Sequence, residues 1–474
     1  MRGSPIIATD AVKRKNYFHC KGEELAGALT DAFELPAWAG RLLALLEMHG
    51  ETWVVGGWVR DSLLGREPGD VDIACSLPVA QTASILEKAG QTIIPVGMAH
   101  GTVATLFEGN LVEITSFRRD GAYSDGRHPD TVMPASGIEE DLARRDFTVN
   151  SMAWHPERGL KDPFGGQADL MAGVIRCTGE PALRLKEDAL RILRALRFAA
   201  KLDFSIEPET ASALHYLSPD IAKLSRERIF AELDGLLCTP SPGWILLEYG
   251  DVIGTVIPEV IPCITCPQTT KYHIYDVWEH ICHTVDASPA RRTVRWAAML
   301  HDIGKPETHF QTDGVSHFYG HAKAGEAISR RVAADLRFPR SLADTVPLLV
   351  RHHDDPVAAD RKAINRMIGR LGGNPDAFMD LCDLKVADAL AHAPEYRGRA
   401  EQAVQLKEFL AEMLAQHEPF AIKDLAVNGK DLMELGFTPG PGMGAALKAL
   451  FEAVRDGKLP NERAALIAAA AQLR

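Results

Sequence analysis

The sequence predicts an α+β protein, with a strand-bearing head in its first third and a helical body behind it. Two patterns carry that prediction. Runs rich in β-branched and aromatic residues (Trp53 to Val55, Val71 to Ala74, Thr92 to Val96, Thr102 to Phe107 and Leu111 to Phe117) alternate with helical stretches early in the chain. From about Glu187 onward, long segments of Ala, Leu, Arg and Glu repeat at helical spacing, and no run reads convincingly as a strand. At 474 residues and 46% hydrophobic content the chain exceeds what one core organises, so about three domains are expected.

The first strand ends at Val54-Val55 and meets Gly56-Gly57, where a helix running through Leu64 begins. Glycines at a helix N-terminus let backbone N–H groups approach a phosphate, and the helix dipole adds partial positive charge. Asp70-Val71-Asp72 follows on the second strand, where residues two apart share a face. Two converging carboxylates suit Mg²⁺, and a metal pair activates a hydroxyl while stabilising a pyrophosphate leaving group. Glu113, on the strand after the Glu108-Gly109-Asn110 hairpin, is the candidate third carboxylate, read as an edge-strand residue. Farther on, Asp188 and Arg191 stand three apart on a predicted helix, which places them on one face. On spacing alone this is an ordinary i,i+3 helix ion pair, worth a few tenths of a kcal/mol.

The formal charge of −12 excludes indiscriminate nucleic-acid binding, so a nucleic-acid substrate needs local basic surface. Arg184, Lys186, Arg191, Arg194, Arg197 and Lys201 supply one such stretch. No apolar run reaches the ~20 residues of a membrane-spanning helix and no apolar signal core opens the chain, so no membrane partner and a cytoplasmic location are expected. The eight cysteines are scattered; Cys263 and Cys266 lack a second pair at zinc spacing and read as reduced thiols.

Five ordered stretches carry a resemblance. Gly56-Gly57-Trp58-Val59-Arg60-Asp61-Ser62-Leu63-Leu64-Gly65 with Asp70 and Asp72 resembles the first motif of the class II tRNA nucleotidyltransferases, the CCA-adding enzymes of the polymerase-β-like superfamily. Glu113 to Arg118 with Asp125-Gly126-Arg127-His128-Pro129-Asp130 resembles their flexible loop, and Asp141 to Asn150 their ribose-recognition motif. Asp162-Pro163-Phe164-Gly165-Gly166 with Asp169-Leu170 resembles the head–neck hinge, and Glu187-Asp188-Ala189-Leu190-Arg191 the motif that selects the incoming base. The resemblance implies that Asp188 accepts from an exocyclic amine and Arg191 donates to a ring nitrogen, a pair that accepts cytosine and adenine and rejects uracil and guanine.

The resemblance implies a polymerase-β-like head with a mixed sheet, an all-α neck, and CCA addition to tRNA from CTP and ATP with two Mg²⁺ and no nucleic-acid template. Asp70, Asp72 and Glu113 become the catalytic residues, with the metals on Asp70 and Asp72. Gly56, Gly57, Arg60, Asp61, Arg145, Asp146, Asn150, Asp188, Arg191 and Arg194 become nucleotide-binding, and Arg197 tRNA-binding. In the family the loop after Glu113 helps the change from C to A; here Arg118 to Pro134 is full length, which favours CCA over CC addition.

A second constellation follows. Tyr272 to His280, then Ala297-Ala298-Met299-Leu300-His301-Asp302-Ile303-Gly304-Lys305-Pro306, then Val386-Ala387-Asp388 resembles the HD superfamily of metal-dependent phosphohydrolases. The resemblance gives His280, His301, Asp302 and Asp388 as ligands of a divalent metal. His321 and His352 or His353 fall where further ligands sit in some members, and Lys305 where a substrate phosphate is met. Asp424 to Met433 with the Gly440-Pro441-Gly442-Met443-Gly444 loop resembles the family's C-terminal part, with Lys430 a candidate tRNA contact.

The expected domains are a catalytic head at 28–178, a neck at 179–258, an HD-type domain at 268–415 and a helical tail at 420–474. Other readings stay open: an enzyme adding only A or only CC, a poly(A) polymerase, and an HD phosphohydrolase with a nucleotide-sensing head.

Overall fold

The computed structural model describes residues 33–94, 98, 101–121, 131–416 and 419–473. The chain divides into two compact units, Met1–Ile229 and Phe230–Arg474.

The first unit is built on a seven-stranded mixed sheet of order β3-β4-β5-β2-β1-β8-β9. The strands are β1 (Thr52–Val55), β2 (Asp72–Cys75), β3 (Thr92–Ile94), β4 (Thr102–Phe107), β5 (Asn110–Ser116), β8 (Ala153–His155) and β9 (Gly159–Lys161). Between β5 and β8, β6 (Arg118–Asp120) and β7 (Val132–Pro134) form a separate hairpin. Within the large sheet β2 and β5 run parallel and the other neighbours antiparallel. All four residues of β1 are buried, as a central strand covered on both faces requires. Trp53, Val55, Ala74 and Ala153 pack on one face against Phe117, Ile138 and Leu142.

Three expectations need correction here. Asp70 precedes β2, which begins at Asp72, so the two aspartates do not share a strand. Glu113 sits on β5, between β4 and β2, and is therefore in the sheet's interior. Strands also occur after Glu187: Ser205–Ile206 pairs with Val174–Ile175, and Phe310–Thr312 with Val315–His317.

Helix α1 (Gly57–Leu63) follows β1, and the sheet is succeeded by α2 (Pro181–Glu187) and α3 (Leu190–Leu202). The apolar residues of α3 recur at helical spacing, and Ile192, Leu193, Ala195, Leu196 and Ala199 are buried while the arginines line the other side.

The second unit is helical. Helices α4 (Val277–Ala287), α5 (Arg292–Leu300), α6 (His321–Asp335), α7 (Arg340–His352) and α8 (Pro375–Ala391) surround its core. Trp278 and Trp296 are fully buried there, with their indole N–H groups donating to the Leu246 carbonyl at 3.1 Å and to Asp234 at 3.0 Å. Residues 425–470 close a smaller core around Leu432, Leu450, Leu466 and Ala470. Among the described residues no helix is long and apolar enough to cross a membrane.

Candidate active sites

In the first unit β1 ends at Val55 and is followed by Gly56, whose φ of 72° and ψ of −127° lie where residues other than glycine are strained. The turn leads straight into α1. The Arg145 guanidinium occupies the adjoining space: a Cβ on Gly56 would come within 3.1 Å of Nη1. Asp72 stands in register with Val55 on one side and Glu113 on the other, so Asp72 and Glu113 project from one face of neighbouring strands. Burial pushes the Asp72 carboxyl up to about 6; Arg145 opposes the rise, and the charges of Glu113 and Asp70 add to it. The structure thus gathers three carboxylates into one electrostatic neighbourhood beside Gly56, with Asp70 and Glu113 exposed.

The residues expected to touch the nucleotide are largely bonded to one another. Arg60 is buried; it donates to both Asp61 oxygens at 2.8 Å and to Asn150 Oδ1 at 2.7 Å. Asn150 donates to Asp146 at 3.1 Å, and Asp146 accepts from Arg194 at 2.9 and 2.7 Å. Burial alone would raise the Asp146 carboxyl, but Arg194 and Asn150 hold it below the usual carboxylate range. The guanidinium groups of Arg60, Arg194 and Arg197 lie 5.2, 5.3 and 4.8 Å from the Phe198 ring. Arg197 thereby sits in the same basic cluster.

Asp188 and Arg191 do not share a helix. Asp188 is extended, at φ −147° and ψ 106°, in the break between α2 and α3. One of its oxygens caps Leu190 N at 3.0 Å, and the other accepts from Arg228 at 2.6 Å. Arg191 pairs with Glu187 and donates to the carbonyls of Arg184 at 2.7 Å and Arg144 at 3.1 Å. Glu187 and Arg228 are site residues that sequence reasoning did not single out: Glu187 stood only within the motif, and Arg228 lies 40 residues from Asp188 in the chain. The loop residues Asp125 to Asp130 lie outside the described residues.

The second unit brings His280, His301, Asp302 and Asp388 together from α4, the end of α5 and α8. His280 Nε2 lies 2.9 Å from Asp388 Oδ1 and 3.3 Å from His301 Nε2, and His301 Nε2 lies 3.2 Å from Asp302 Oδ2. Of the remaining candidates the structure selects His353: His321 Nε2 and His353 Nε2 lie 3.5 and 3.6 Å from Asp302 Oδ1. His352 turns to Asp355 at 2.8 Å instead. The Nδ1 atoms of His301, His321 and His353 donate to the carbonyls of Ala298, Phe318 and Val350, which turns each Nε2 toward the cluster. Burial lowers the His280 imidazole to about 4, keeping it neutral.

Lys305 Nζ lies 2.5 Å from Asp302 Oδ2 and 2.7 Å from Gln268 Oε1. His273 and His392, which sequence reasoning did not single out, close with His280 into a third group whose ligand atoms lie within 4.8 Å of one another. Their spacing from His280 carried no motif. Lys430 is exposed at the start of the helix Gly429–Glu434.

Four family models match the chain in order: a Poly A polymerase head domain over residues 52–176, a probable RNA and SrmB-binding site of polymerase A over 203–261, an HD domain over 270–393, and a putative second domain of tRNA nucleotidyltransferase over 384–470. The chain is 33% identical over 426 residues to a CCA-adding enzyme of Streptococcus gordonii, covering 88% of this chain and 92% of that one. It is 32% identical over 436 residues to an A-adding tRNA nucleotidyltransferase of Deinococcus radiodurans, covering 87% and 94%. The solved CCA-adding enzyme of Bacillus stearothermophilus in complex with CTP matches with a TM-score of 0.67 at 27% identity, over 92% of this chain and 98% of that one.

Proposed function

The chain belongs to the family of the CCA-adding enzymes, and from that premise we propose that it builds the CCA end of tRNA from CTP and ATP without a template. The observation that carries this is the trio Asp70, Asp72 and Glu113 beside Gly56 and Arg145. Burial first, and then the charges of Glu113 and Asp70, drive Asp72 upward against Arg145, and such an all-carboxylate donor set suits divalent cations of hard character. Asp70, Asp72 and Glu113 would hold two Mg²⁺, which lower the pKa of the tRNA 3′-hydroxyl and neutralise charge developing on the leaving group.

Arg145 and the amides at Gly56 and Gly57 orient the triphosphate. The 3′-oxygen bonds to the α-phosphorus, the α–β bridging bond breaks, and pyrophosphate leaves with release of the hydroxyl proton. The relay through Arg60, Asn150, Asp146 and Arg194 holds this surface rigid rather than touching the nucleotide with every member. Asp188 and Arg191, fixed by Arg228 and Glu187, present an acceptor and a donor to the base. Arg197 and Lys430 take tRNA phosphates. The free thiols of the seven described cysteines suit the reducing cytoplasm, where we place the protein.

The second unit supports an accessory phosphohydrolase. Its imidazoles and buried carboxylates are a donor set that fits transition-metal ions, which His280, His301, Asp302 and Asp388 and, through the other Asp302 oxygen, His321 and His353 would hold.

Extension of a tRNA transcript lacking CCA, with each nucleotide singly and together, tests the main reading. Addition of three residues by the wild type and none by Asp70→Ala/Asp72→Ala is expected. Extension only of tRNA already ending in CC would make this an A-adding enzyme, and no extension would overturn the reading.

A further inference from the structure

The rim of the histidine cluster carries aromatic rings interleaved with cations. Tyr272, one residue before His273, meets Tyr396 edge-on with centroids 4.6 Å apart. Lys271 Nζ stands 5.1 Å from the Tyr272 ring, and the Arg399 guanidinium 4.9 Å from it. Both cations are exposed, and both tyrosines are half-buried. The two rim segments are tied together by the Ala393 amide, which donates to the Tyr272 carbonyl at 2.9 Å. Immediately inward, the His273 ring lies 5.1 Å from that of His280 and 4.7 Å from that of His392.

Among the described residues neither cation is paired with a carboxylate, in a chain whose formal charge is −12. Rings alternating with cations are what single-stranded nucleic acid requires: bases stack on any π-face while Lys and Arg track the phosphates. A lone phosphate ester would need only the inner polar groups. The outer rings have no use for it.

We propose that Lys271, Tyr272, Tyr396 and Arg399 form a subsite for the nucleotides just upstream of the scissile phosphoester, so that the second unit acts on the 3′ end of single-stranded RNA rather than on mononucleotides. This rests on the phosphohydrolase reading of the histidine cluster.

The test compares a five-nucleotide RNA ending in 2′,3′-cyclic phosphate with cytidine 2′,3′-cyclic phosphate as substrates of the metal-loaded full chain. The wild type is expected to show a KM at least about tenfold lower for the oligonucleotide, from base stacking and phosphate contact. Lys271→Ala/Arg399→Ala and Tyr272→Ala bring that KM to the mononucleotide value, leaving kcat and tRNA extension unchanged. Equal wild-type KM values, or variants that impair both substrates alike, overturn the proposal. The charge variant alters only exposed side chains and guards against misfolding of Tyr272→Ala. If the wild type hydrolyses neither substrate, the phosphohydrolase reading fails by itself. Fluorescence anisotropy with a labelled 3′-phosphorylated pentanucleotide then decides the subsite: about tenfold weaker binding by the charge variant supports it, and unchanged binding overturns it.

Discussion

Asp141 has no exposed side-chain surface, yet it stays ionised because Arg144, Arg145 and the Arg118 amide all surround it. Burial alone would raise its carboxyl; the two guanidinium groups hold it below the usual carboxylate range. A depressed folded pKa gives stabilisation that is present above the ordinary carboxylate range and lost as pH falls through the lower, folded value. Asp141→Asn is therefore expected to cost about 3–5 kcal/mol at pH 7, since it removes the buried counter-charge of two half-buried guanidinium groups, and the Tm gap from wild type should shrink below about pH 4. Asp188 offers a second residue-level test. Asp188→Ala should narrow the preference for CTP over UTP, measured as kcat/KM, by about tenfold or more, because an amine acceptor is lost. The sequence pointed to Asp188 and Arg191 through one motif. What holds them was hidden: Arg228 and the Arg144 carbonyl are distant in the chain, and no local spacing links them to the motif.

At the scale of elements, periodicity made the long pieces legible. The Glu108-Gly109 turn, with φ of 49° and 83°, closes β4 onto β5 where the sequence placed a hairpin. The three-residue strands β8 and β9 were not legible, because so short a run shows no alternation. The hairpin at Asp313-Gly314 did carry the turn signal, but its flanking strands are again only three residues long. Two glycines fix how elements meet. Gly56→Ala would strain the turn by about 1–3 kcal/mol and press on Arg145, so a raised KM for CTP is expected in tRNA extension. A Cβ on Gly304 would lie 2.4 Å from the His321 carbonyl and 2.5 Å from Gly325 N, both backbone atoms. Gly304→Ala must push α6 away and carry His321 from Asp302. Phosphoester hydrolysis should fall at least about tenfold while tRNA extension persists.

On the scale of the whole molecule, each unit has its own core and its own set of acidic and basic groups. His301→Ala/Asp302→Ala is thus expected to abolish hydrolysis without lowering tRNA extension, and Asp70→Ala/Asp72→Ala to do the reverse; parallel assays of both variants check it. The division into a strand-bearing head and a helical body could be read from periodicity, and the motifs named the main carboxylates and imidazoles of each unit, whereas the partners that orient them, such as Arg228, His273 and His392, came only from the fold. The run Asp61, Arg60, Asn150, Asp146, Arg194 has one further consequence. Each member is oriented by the next, so breaking the run at either end forfeits what the other end was supporting. Arg60→Ala and Arg194→Ala should therefore combine to less than the sum of their separate effects, with a coupling of about 0.5–3 kcal/mol in a double-mutant cycle. Residues far apart in sequence, one on α1 and one on α3, would then be unable to vary independently: a tolerated change at one is expected to alter which changes the other can bear.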